Sequence, residues 1–93
     1  MIVGVVRLEL FIRESDSLKD KRRILSSLIQ RIRHRFNVSI AEVGSHDLWR
    51  RATLGVALVT NDRRYAEQVL STIVEFVGRS ADVELTDYSI ELL

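Results

Sequence analysis

Apolar residues along the chain recur with a period that switches between two and about three and a half, and each switch marks an element boundary. In the first strand, Ile2, Val6, Leu8, Leu10 and Ile12 share one face, while Val3, Val5, Arg7, Glu9 and Phe11 share the other. That alternation predicts a strand with one core-facing side. Ser17-Leu18-Lys19-Asp20 has the S-x-x-D form of a capping box, and Leu18, Leu25, Ile29, Ile32 and Phe36 then return at helical spacing. A helix is predicted, ended at Asn37 by a left-handed residue. Residues 38–44 and 52–60 are rich in β-branched and small side chains and are separated by a polar run entered at Gly44, the pattern of a hairpin. Asn61 or Asp62 then caps a second helix with Ala66, Val69, Ile73, Phe76 and Val77 on its apolar face and Gly78 at its end. In residues 82–93 the apolar parity changes from Val83 and Leu85 to Tyr88, Ile90 and Leu92. A last strand with a bulge near Thr86 or Asp87 follows.

The order β-α-β-β-α-β predicts a ferredoxin-like α+β sandwich: a four-stranded antiparallel sheet with both helices on one face and right-handed crossovers. This topology brings together loops that are distant in sequence. The strands and helices alternate in direction, so the loop entering the first helix and the hairpin tip share one end of the sheet.

A chain of 93 residues with 46% hydrophobic content has room for one core, so residues 1–93 are read as a single domain. The absence of cysteine excludes disulfide and thiolate chemistry, and two histidines, His34 and His46, are too few for a histidine metal cage. No metal and no cofactor are expected. The start MIVGVVRLEL has no basic leader, and no apolar run approaches the roughly 18 residues of a membrane span, so a cytoplasmic protein without a membrane partner is expected.

Net charge is +1, but its distribution is polarised. Residues 18–36 carry seven Lys or Arg against one acid, Asp20, and so +6, whereas the remainder has 7 bases against 12 acids and carries −5. A basic surface in acidic surroundings favours an anionic partner at one place. The shared sheet end collects Arg13, Lys19, Lys21 and Arg22 near Trp49, Arg50 and Arg51, together with the first amides of the helix. This cluster is the candidate phosphate or nucleic-acid site. Trp49 reads first as a plug packed against a neighbouring loop and second as a stacking face for an unpaired base. Lys21 falls on the apolar side of its helix, where it must snorkel or meet an acid, with Asp47 the expected partner. Arg31, Arg33, His34 and Arg35 are read as cations favoured by the helix dipole.

The segments SLKDKRR at residues 17–23, RFNVSIAEVG at 35–44 and DLWRRA at 47–52 resemble the YlxP-like family of small bacterial proteins, a domain of unknown function, and the resemblance extends over essentially the whole chain. It implies a ferredoxin-like fold and a bacterial cytoplasmic protein from a family often encoded beside translation-initiation and ribosome-maturation genes. No catalytic residues come with it.

Catalytic signatures are also missing from the residues themselves. His46 beside Asp47 lacks a placed nucleophile, and neither a Walker-type nor a dinucleotide glycine motif is present. The face of the sheet away from the helices carries Val3, Val5, Phe11, Ala41, Val43, Gly55, Ala57 and Val59, too small at the third strand to stack bases. Such a face is expected to make a homodimer, with Val3, Val5, Phe11, Ala57 and Val59 at its interface. The expected function is therefore a non-enzymatic protein bound to ribosomal RNA or a ribosomal subunit. A dimeric interaction module that binds no nucleic acid is the alternative.

Overall fold

The computed structural model describes residues 1–93 as β1 (Ile2–Ile12), α1 (Leu18–Arg35), β2 (Ser39–Gly44), β3 (Arg51–Thr60), α2 (Arg63–Gly78) and β4 (Val83–Leu92). The strands form one antiparallel sheet in the order β2-β3-β1-β4, the ferredoxin-like arrangement. Alternation in β1 sorts its residues as expected. Val6, Leu8, Leu10 and Ile12 are buried in a single apolar cluster with Ile24, Leu25, Leu28 and Ile32 of α1 and Ala66, Leu70, Ile73 and Val77 of α2. Both helices thus cover one face, and the odd-numbered residues of β1 lie on the other.

Local signals fix most boundaries. Ser17 Oγ accepts the Asp20 N–H at 3.0 Å, and Asp20 Oδ2 reaches back to accept the Asp16 N–H at 3.2 Å, closing the start of α1. Asp62, not Asn61, caps α2 by accepting the Tyr65 N–H at 3.1 Å. In β4 the register steps from Glu9↔Asp87 to Leu10↔Leu85, leaving Thr86 as the extra residue of the bulge. Its hydroxyl donates to the Glu9 carbonyl at 3.1 Å.

The end of α1 differs from expectation. Asn37 is not left-handed; the helix stops because Phe36 turns extended at φ −129° and ψ 142° while its N–H still donates to the Ile32 carbonyl. Phe36 packs edge-on against Phe76, with ring centroids 6.1 Å apart, and this inter-helix contact sets the stop instead of a backbone preference at Asn37. The one non-glycine residue with positive φ is Ser45, at 62°, in the hairpin. No helix is long and apolar enough to cross a membrane.

Candidate functional site

The hairpin between β2 and β3 turns at residues 45–50, where Ser45 takes the left-handed conformation and its carbonyl accepts the Leu48 N–H at 3.1 Å. The loop at residues 13–17 lies against it, as the topology predicts. Arg50 Nε donates to the Ser15 carbonyl at 2.9 Å, and Arg50 Nη2 sits 3.0 Å from Asp16 Oδ1.

Lys21 is the pin between the two segments. It is 1% exposed, and its Nζ donates to the carbonyls of Ser45 at 2.8 Å, His46 at 3.1 Å and Arg51 at 3.2 Å. An ammonium has three protons, and these three carbonyls account for them. Glu42 Oε2, 3.0 Å away, is therefore held by charge without a hydrogen bond of its own. Asp47, the expected partner, plays no part, because it sits out on the exposed tip while Glu42 pairs across from Leu54 and so points to the helix-facing side of β2. Lys21 is thereby removed from the phosphate contacts.

The remaining cations divide into engaged and free. Arg13 Nη1 donates to the carbonyls of Ala81 at 3.2 Å and Val83 at 3.1 Å, and its Nη2 is 3.5 Å from Glu84 Oε1, which ties it to the start of β4. Arg50 is engaged with Asp16. The guanidinium carbon of Arg51 lies 6.0 Å from the centre of the Phe11 ring, its partner across the strands, which leaves its N–H groups free. Lys19 and Arg22 are exposed and make no ion pair. The start of α1 attracts anions less than expected, since Ser17 occupies the Asp20 amide and the Asp16 and Asp20 carboxylates stand beside it.

Trp49 is 54% exposed, next to Leu48 at 50%. This corrects the reading of Trp49 as a plug. Lys21 Nζ, not the indole, holds the hairpin to the helix, and Trp49 stands outside that contact on the tip. His46 Nε2 lies 3.3 Å from the Glu42 carbonyl, a contact within the hairpin.

On the open face, Val3 pairs across from Val59 and Val5 from Ala57. Val59 and Val43 are exposed, whereas Val3, Val5 and Ala57 are half-buried by their neighbours. Phe11 stands apart from this patch, under Arg51. At the other end of α1, Arg33 Nη2 donates to the Ile40 carbonyl at 3.0 Å, so this cation fastens the edge strand in addition to answering the helix dipole.

Comparison with known proteins places the chain in a family and assigns it no chemistry. The family described as "Protein of unknown function (DUF503)" matches residues 3–90. The chain belongs to that family. It is 34% identical over 85 residues to the uncharacterized protein YlxP of Bacillus subtilis (strain 168), an alignment covering 91% of this chain and 92% of that protein.

Proposed function

We propose that this chain is a non-enzymatic, cytoplasmic RNA- or ribosome-associated protein that holds a phosphate backbone at the hairpin end of its sheet. The observation carrying this reading is Trp49. The chain's one tryptophan stands exposed at the hairpin tip, next in sequence to Leu48 and to two arginines. A large ring held in water by a pinned hairpin does nothing for the core, and an aromatic face beside cations is how sequence-tolerant single-strand binders hold bases. Lys19, Arg22 and Arg51 supply the phosphate contacts, because their donors are not engaged elsewhere. A role in small-subunit maturation or translation rests on the family resemblance alone. Recovery of tagged chain from native lysate tests the proposal: ribosomal RNA or subunits that co-purify and are lost after nuclease treatment support it, and their absence contradicts it.

One observation favours a second reading, the homodimeric module. Val3, Val5, Val43, Ala57 and Val59 form an apolar patch on a sheet face that no element of the chain covers. A salt-insensitive dimer in light scattering, with no nucleic acid bound, selects that reading.

A further inference from the structure

We infer that a second anion site, built to take a phosphate group, lies between the C-terminal parts of α1 and α2. A cavity of about 300 Å³ opens there, lined by Arg31 and Arg35 of α1, Arg79 at the end of α2, and the Phe36 and Phe76 rings, with Glu75 as its one acid. Three guanidiniums converge on this concavity from two elements, and none is neutralised well. Arg31 Nη2 reaches only to 4.0 Å from Asp82 Oδ2, between two side chains open to solvent, and its Nε donates weakly to the Ser27 carbonyl at 3.4 Å, which leaves the Nη groups for a ligand. Arg35 makes no ion pair; its guanidinium carbon rests 5.4 Å from the Phe76 ring centre, which fixes the plane and leaves the N–H edge open. Arg79 caps α2 through its backbone N–H, and its side chain has no acidic partner within 4.0 Å.

Helix dipoles favour cations near each C-terminus, but they do not bring the arginines of two helices to one cavity. Arg31 and Arg35 are also like charges four apart on a helix, an arrangement that disfavours the helix unless an anion joins them. The hydroxyls in the cavity wall agree. Thr72 Oγ1 donates to the Gln68 carbonyl at 2.8 Å and Ser80 Oγ to the Phe76 carbonyl at 3.2 Å, so the donors left for a ligand are guanidinium N–H groups, suited to bidentate capture of phosphate oxygens. Arg35 is sixteen residues from Lys19 along α1, about 24 Å at the helical rise, so this site is separate from the hairpin end. It stands without the RNA reading above, and its phosphate comes either from a small phosphorylated compound or from a nucleic-acid strand.

The test is titration of isotope-labelled chain at low ionic strength with three probes, inorganic pyrophosphate, uridine monophosphate and a uridine octanucleotide, followed by nuclear magnetic resonance of the arginine Nε–H and backbone amide signals. Saturable shifts at Arg31, Arg35 and Arg79 are expected with pyrophosphate, weakened at least about tenfold by Arg79→Gln. Arg79→Gln leaves the core untouched, and Arg35→Gln serves as the second variant, with retained signal dispersion showing that each is folded. Shifts of the same signals by the octanucleotide assign the phosphate to a strand, and shifts by the two small probes alone assign it to a free compound. No saturation at millimolar pyrophosphate, or affinity unchanged in both variants, overturns the inference. Pyrophosphate bound here with no octanucleotide bound at Trp49 retains this site and rejects the proposed function.

Discussion

Lys21 Nζ and Glu42 Oε2 face each other at 3.0 Å beneath the β2–β3 hairpin, a base on the core side of a helix and an acid on the core side of an edge strand. Each is admissible there because of the other. Breaking such a pair from one side strands a charge, which costs about 3 kcal/mol, whereas replacing both partners with apolar residues is close to neutral. Lys21→Met is therefore expected to lower the urea midpoint by an amount equivalent to about 3 kcal/mol, and Lys21→Met with Glu42→Leu to recover only the part due to the stranded Glu42 charge, because the Ser45, His46 and Arg51 carbonyls lose their donor in both. The three carbonyls held by Lys21 are lost in both variants, so amide exchange in residues 45–51 rises in both.

Ser45 carries a second consequence of the same pin. Its φ of 62° is one that a β-branched side chain adopts only with strain. Ser45→Val is expected to cost about 1–2 kcal/mol in denaturant unfolding, and Ser45→Gly to cost nothing measurable. Equal stability of the two variants would contradict the conformation of the turn.

Gly4 marks where α2 approaches the sheet. A Cβ there would stand 3.0 Å from Leu70 Cδ1 and 3.3 Å from Leu92 Cδ2, inside the packed core. Gly4→Ala is expected to destabilise by about 1 kcal/mol, since the Leu70 and Leu92 methyls must shift to admit the Cβ, read as a fall in Tm of a few degrees.

If RNA sits at the hairpin end, its salt dependence follows the free cations alone. With Lys19, Arg22 and Arg51 as contacts, the logarithm of the affinity for single strands falls with log salt at a slope of about −2. Arg22→Ala is expected to flatten that slope by about 0.7, whereas Arg13→Ala and Lys19→Arg leave it unchanged.

The legible parts of this chain were those governed by neighbours in sequence. The Ser17 cap, the Asp62 cap and the bulge at Thr86 follow from a capping pattern and a change of parity, and each is where those signals point. Juxtaposition of the loop at residues 13–17 with the hairpin was legible too, because strand and helix directions decide it. What decided Asn37, Trp49 and the partner of Lys21 was tertiary packing. Phe36 meeting Phe76 ends α1, and Lys21 anchors the hairpin where a tryptophan plug was expected. The signal for Glu42 was present all the same: it shares parity with Ile40 on β2, so an acid and a base both stood at core positions. The convergence of Arg79 with Arg31 and Arg35 had no such signal, because it depends on how the two helices pack.

The most direct test of the proposed function uses Trp49 itself, since the chain's single tryptophan is its whole indole fluorescence. Titration with a single-stranded ribosomal RNA fragment at low salt is predicted to quench that emission saturably, with the effect lost on raising salt and weakened by Arg22→Ala with Arg51→Ala. Emission that stays unchanged while the protein remains folded, or quenching indifferent to both salt and those substitutions, would contradict an RNA surface at the hairpin.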